Sequence, residues 1–207
     1  AILMMHIQKV TGSNDFLFST LYDHKMGYKG IYSAQGIVGL CLMFAFLIKA
    51  PLIPFHGWLK DTYVEAPSLI TALIAGVMGK MGIYGLIRFM PIFPDLAKEL
   101  APIVMMVAAL GVVYGVFSAL QSKEIKETIA YVSLSHVSAL VFGLFTLNQI
   151  GISGTIMQMF SHGLLIAGLF IVIAYLEKKS LLGSKGLSKI APVLAVSFFV
   201  LILGAIA

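Results

Sequence analysis

The sequence predicts an all-α fold, a polytopic bundle of transmembrane helices with one discontinuous, broken helix. Three observations predict it. Of the 207 residues, 59% are hydrophobic and 11% are charged, against about 25% charged in a soluble domain. The mean hydropathy is +0.99. The apolar residues also fall in runs of about 20, the length that crosses a bilayer, without the polar face that a soluble helix presents to water.

The elements follow in order. The chain opens inside an apolar stretch, Ala1-Ile2-Leu3-Met4-Met5, and stops inside another, so it reads as an internal piece of a longer chain. It is organised as one transmembrane domain over residues 1–207. Residues 1–11 read as the end of a span, and residues 12–32 as a polar loop holding Asp15, Asp23, His24, Lys25 and Lys29. A second span over residues 33–65 is broken at 50–54, because Pro51 and Pro54 each remove a backbone donor and clash with the preceding turn. Phe55 to Glu65 then form a short amphipathic half-helix, and Ala66-Pro67-Ser68 punctuates the chain. Further spans cover about 68–90, 102–121, 127–147, 151–176 and 189–207. The loops holding Lys60, Lys123, Lys126, Lys178, Lys179, Lys185 and Lys189 are the more basic set, which places them on the cytoplasmic side.

Two lysines stand apart from the loops. Lys80 lies at the middle of its apolar run, too far from either surface to snorkel. A central lysine costs roughly 2.5–3.5 kcal/mol on insertion scales, and intramembrane charges mark ion and proton paths. Lysine, unlike arginine, can give up its proton when it is taken out of water. The plainer reading, a structural ion pair, lacks a carboxylate inside any long apolar run and leaves Asp61, Glu65 or a residue outside this sequence as candidate partners. Lys49 directly precedes the break. Broken helices recur at transport sites, although a lysine at a span end also snorkels, and its neighbours alone leave both readings open. Gly76, Gly79, Gly82 and Gly85, spaced by three, read as a close-packing face that shields Lys80 from lipid.

His136 and His162 fall inside spans, and imidazole relays protons through its two nitrogens near neutral pH. Thr155, Gln158 and His162 share one helix face as a polar stripe. A single histidine would be read as a packing residue; two, beside two buried lysines, point to a relay. His56, next to Trp58, reads as an interfacial anchor, since tryptophan favours headgroup depth. With one cysteine, Cys41, and no histidine pair at i, i+4, no metal site is expected. The sequence also carries no cofactor-binding glycine loop and no nucleophile motif. The net charge of +5 is explained by lysines beside apolar spans, so no nucleic-acid partner is implied.

Longer motifs carry a resemblance. The segment Lys49-Ala-Pro51-Leu-Ile-Pro54-Phe-His56-Gly-Trp58-Leu-Lys-Asp61, then Glu65-Ala-Pro67-Ser, then Gly-Lys80-Met-Gly-Ile-Tyr84-Gly-Leu-Ile-Arg88-Phe, resembles the antiporter-like proton-translocating subunits. Glu124-Ile-Lys126-Glu-Thr-Ile-Ala-Tyr131-Val-Ser-Leu-Ser-His136 and Gln158-Met-Phe-Ser-His162-Gly-Leu match as well. Such subunits occur in respiratory complex I, in membrane-bound hydrogenases and in multisubunit cation/proton antiporters. The likeness covers residues 33–207, and Lys60 stands where the family motif has proline. It implies that Lys49 accepts and releases the pumped proton, that Lys80 passes protons along the membrane midplane, and that His136 and His162 link the two half-channels. Pro51, Pro54, His56, Asp61, Glu65, Lys126 and Gln158 are the supporting residues.

It further implies a subunit of a translocating oxidoreductase in a bacterial or archaeal plasma (inner) membrane, with no redox chemistry on this chain. NADH, flavin, iron–sulfur clusters and quinone are expected only in partner subunits. The partners implied are antiporter-like membrane paralogues, the lipid bilayer and protons. The alternative is a cation/proton antiporter or hydrogenase membrane subunit. A helical scaffold without transport is a third class, against which Lys80, His136 and His162 argue.

Overall fold

The computed structural model describes residues 32–181 and 191–206, with Met5, Gln8, Lys9, Gly12, Tyr22, Gly30 and Lys189. The first expected span and most of the loop at 12–32 lie outside the described residues, as does Lys185. Every regular element described is helical. They are α1 (Ala34–Lys49), α2 (Gly57–Glu65), α3 (Ser68–Leu73), a π-turn (Ile74–Met78), α4 (Gly79–Phe89), α5 (Pro94–Gln121), α6 (Ile125–Phe145), α7 (Gln149–Lys178) and α8 (Pro192–Ile206). A single 3-10 turn, Met90–Ile92, joins α4 to α5.

Local chemistry sets the ends. Ser33 caps α1 by accepting from the Gly36 amide at 3.0 Å, and Asn148 caps α7 by accepting from Gly151 at 2.6 Å; each satisfies an orphan donor of the first turn. The helix α5 begins at Pro94, eight residues before the apolar run expected from 102. Proline suits the first helical position, and Asp95 suits the positive end of the helix dipole. The polar first turns with Asp95, Lys98 and Glu99 masked this start, and Pro102 is accommodated inside the helix.

Among the described residues, four stretches are long and apolar enough to cross a membrane: Ser68–Ile92, Pro94–Gln121, Ile125–Phe145 and Gln149–Lys178. Gly36–Lys49 and Pro192–Gly204 are shorter apolar helices. The chain is therefore an all-α membrane bundle. The outward face of α5 carries Ile103, Met106, Leu110, Val113, Phe117 and Leu120, all exposed, as suits contact with lipid.

Two apolar cores fix the helices. One holds Met43 and Leu47 of α1, Ile83 and Leu86 of α4, Leu96 of α5 and Val141 of α6. The other joins Leu59 and Tyr63 of α2 to Ala72 of α3, Leu134 of α6, and Ile166 and Phe170 of α7. Glycines of α4 and of the π-turn allow close approaches between helices. A Cβ at Gly82 would lie 2.7 Å from the Phe46 carbonyl and the Ala50 amide nitrogen, and one at Gly76 would lie 3.1 Å from Ala167. The span bearing Lys80 is thus wedged between α1 and α7.

Candidate functional site

The helix α1 stops at Lys49, and α2 starts at Gly57, with turns between. Pro51 is buried in that connection and Pro54 is exposed. Helix ends leave carbonyls unsatisfied, which is costly in an apolar medium. Here Ala50 N donates to Phe46 O at 2.8 Å and Leu52 N to Leu47 O at 3.2 Å. The Trp58 indole donates to Ile48 O at 3.2 Å. Trp58 thus reaches back across the connection to a backbone carbonyl, a contact the sequence did not signal.

Lys49 is half-buried at the edge of a cavity of about 330 Å³, lined also by Ala45, Ile48, Trp58, Thr62, Ile74 and Met78. Ile74 and Met78 bound the π-turn, so this cavity abuts the irregular part of the next span. The same turn serves Lys80, the thirteenth of the 25 residues from Ser68 to Ile92. At about 1.5 Å per residue its Cα lies roughly 18 Å from either end. Lys80 is 7% exposed, and its ammonium donates to the Ala75 carbonyl inside the π-turn. A π-turn is rare and is often found at functional sites; Ile74-Ala-Gly-Val-Met78 reads in sequence as ordinary helix.

Lys80 also lines a groove of about 450 Å³ between α4 and α7, with Gly76, Met159, Phe160 and Gly163 among its walls. Beside Gly163 on α7, where an added Cβ would lie 3.7 Å from Lys80 Cε, stands His162, 1% exposed. The rings of His136 and His162 stack, with centroids 5.0 Å apart and planes at 30°. Ser133 Oγ lies 3.3 Å from His162 Nε2, while His162 Nδ1 is buried and without a hydrogen-bond partner among the described residues. Lys80, His136 and His162 therefore form one cluster, and Lys49 faces a separate cavity across the π-turn.

The supporting residues scatter. The polar stripe divides: Thr155 donates to Leu140 O at 3.2 Å, a packing contact, and Gln158 is half-buried and accepts from Ser161 at 3.3 Å. His56 precedes α2 with its ring edge-on to Tyr114 of α5 at 4.9 Å and 71°, and its Nδ1 is buried without a partner among the described residues. Asp61 is exposed and pairs with Lys60 at 3.5 Å; Glu65 is exposed at the end of α2.

Lys126 pairs with Glu177 at 2.8 Å, and Ser68 donates to the other oxygen of Glu177 at 2.6 Å. One carboxylate thus ties together the starts of α3 and α6 and the end of α7. Glu177→Gln removes the charge from both contacts and is expected to lower stability by about 1–2 kcal/mol. A lower midpoint of thermal dissociation checks this; an unchanged midpoint would show that the clamp adds nothing.

The family whose description is NADH:quinone oxidoreductase/Mrp antiporter, TM, matches residues 1–207, the whole chain. The chain belongs to this family. It is 37% identical over 178 residues to NADH-quinone oxidoreductase subunit M of Rickettsia prowazekii (strain Madrid E), covering 84% of this chain and 36% of that protein. It is 40% identical over 174 residues to NADH-ubiquinone oxidoreductase chain 4 of Acanthamoeba castellanii, covering 82% and 35% respectively. The chain thus spans about a third of the length of the curated relatives it matches.

Among solved structures it resembles a chain of respiratory complex I from Thermus thermophilus with bound NADH, at a TM-score of 0.83 and 27% identity, covering 99% of this chain and 48% of that one. A chain of the Mrp complex from Dietzia sp. DQ12-45-1b shares the fold, at a TM-score of 0.80 and 24% identity, covering 99% and 38%. The antiporter-like membrane family expected from the motifs at Lys49, Lys80, His136 and His162 is the family found.

Proposed function

We propose that this chain is the membrane part of an M-type, proton-translocating subunit of an NADH:quinone oxidoreductase in a bacterial or archaeal plasma membrane. The observation that carries the reading is the cluster of a mid-span, buried Lys80 with a stacked histidine pair. Groups this costly to bury in a bilayer are kept for use. Protons pass among Lys49, Lys80, His162 and His136. Each carrier accepts a proton from one side and releases it to the other. Because like charges disfavour one another at this range, a proton arriving on one carrier drives release from the next.

The electron-transfer cofactors, namely NADH, flavin, iron–sulfur clusters and quinone, belong to partner subunits, and the partners in the membrane are antiporter-like paralogues. A second reading, a subunit of a cation/proton antiporter, is favoured by the shared fold with the Mrp chain. A membrane-bound hydrogenase subunit would use the same carriers.

The test uses the intact complex in vesicles, with proton uptake measured per electron transferred. His162→Ala is expected to slow uptake by about a hundredfold, the scale on which a positioned acid–base group acts, with the peripheral dehydrogenase reaction preserved. Uptake unchanged in a fully assembled His136→Ala, His162→Ala double variant would rule out the histidine relay.

A further inference from the structure

The π-turn Ile74–Met78 changes what one backbone carbonyl can do. In an α-helix the Gly79 amide donates to Ala75 O, four residues back. Here it donates to Ile74 O, five residues back. Ala75 O thereby loses its regular partner, and the Lys80 ammonium donates to it. A side chain that enters the backbone ladder is a known cause of local helix distortion. Ala75 is fully buried, where an unpaired carbonyl is costly. The ammonium needs an acceptor as much, since no carboxylate pairs with Lys80 among the described residues.

The turn is also seated on α7. A Cβ at Gly163 would lie 2.9 Å from Gly76 O and 3.7 Å from Lys80 Cε, and one at Gly76 would lie 3.4 Å from Gly163 O. Two glycines thus set backbone against backbone, with the lysine stem alongside. The neighbour of Gly163 in α7 is the buried His162. On its other side the turn presents Ile74 and Met78 to the cavity of Lys49.

We propose that the π-turn is a positioning element for proton transfer: it withdraws Ala75 O from the helix ladder to hold the Lys80 ammonium, where Gly163 lets the lysine stem lie beside His162. The inference rests on reading Lys80 as a proton carrier. A carboxylate would favour the charged form of the lysine, whereas a neutral carbonyl satisfies the ammonium and leaves its proton easier to pass on. The extra residue of the turn makes this possible. With one residue removed, Ala75 and Lys80 stand four apart, Ala75 O returns to the ladder to accept from the Lys80 amide, and the ammonium loses its acceptor. The titratable groups on the elements around the turn are His162 of α7 and Tyr84 of α4, and beyond them His136 of α6, Lys49 of α1 and Tyr63 of α2.

The experiment measures the rate of proton uptake against pH in vesicles holding the intact complex. Its arms are deletion of Val77, Gly163→Ala, Gly154→Ala and Lys80→Met. Val77 is 61% exposed, so its deletion straightens the turn with little loss of packing. The deletion is expected to slow uptake about tenfold, the effect of one hydrogen bond to a charged group, and to displace the pH profile. Gly163→Ala, which forces the turn away from α7, should do the same. Gly154→Ala, in the same helix with nothing within 4 Å of the added carbon, should match wild type. A merely structural turn would lower the rate equally at every pH, and an unmoved profile in the slowed variants would overturn the proposal. A wild-type rate and profile in the assembled deletion, with Lys80→Met impaired, would also overturn it and leave the relay standing. If the deletion does not assemble, Gly163→Ala decides by the same readouts. Failure of both to assemble would make the turn a folding requirement and would equally overturn a positioning role. Normal uptake in Lys80→Met would remove the carrier and this inference with it.

Discussion

Lys80→Met is expected to reduce proton translocation by about a hundredfold or more while the subunit still inserts and assembles. Methionine is unbranched and of similar length, so it fills the space of the buried stem. It also removes the roughly 2.5–3.5 kcal/mol cost of a charge at mid-span. Insertion should therefore be no worse, which separates loss of function from loss of fold. Lys80→Arg is the sharper variant. Arginine retains the charge and can still donate to the Ala75 carbonyl that receives the lysine, but it does not release its proton at any working pH. A structural cation would tolerate that exchange; a carrier would not. Proton uptake per electron, measured beside assembly, decides the matter. Either variant assembling normally and pumping at the wild-type ratio would make Lys80 structural and leave the midplane path without its central carrier.

What could be read from the sequence was set by contrast with the surroundings. Lys80 stood out because a charge interrupts an apolar run, and Pro51 and Pro54 because no regular span tolerates both. Composition and run length sufficed for the bundle. The features missed are those whose residues look ordinary one at a time. The π-turn is made of Ile, Ala, Gly, Val and Met, all at home in a membrane helix. The Trp58 contact gave no signal because its partner, the Ile48 carbonyl, is a backbone atom that every residue owns. The Ser68–Glu177 contact joins positions 109 residues apart, which no local pattern reports. His136 and His162 were each visible as polar residues in a span, but their stacking depends on how α6 packs on α7. Thr155 shows the opposite error: it completed a polar stripe by spacing, yet it turns its hydroxyl to the Leu140 carbonyl. The resemblance to the family supplied roles for Lys49 and Lys80, whereas the Trp58–Ile48 contact comes from packing alone.

Gly82→Ala is expected to disrupt the subunit, whereas Gly79→Ala, one step earlier in the same three-residue repeat, should be tolerated. The four glycines of this span look equivalent in sequence, and the structure divides them. A methyl at Gly79 would meet nothing within 4 Å, but at Gly82 it would lie 2.7 Å from the Phe46 carbonyl and from the Ala50 amide nitrogen. Those atoms are hydrogen-bonded to each other at 2.8 Å in the last turn of α1, so neither can yield without the turn opening. Overpacking of this kind costs about 1–3 kcal/mol, and backbone is the least able to move aside. The displaced turn is the one that ends at Lys49, so a subunit that survives the substitution should also pump poorly. Gly79→Ala carries no such contact and relieves part of the roughly 1 kcal/mol penalty of glycine within a helix. Yield of assembled complex and its thermal dissociation midpoint distinguish the two variants. Equal behaviour at both positions would show that the close approach of α4 to α1 places no limit on this helix.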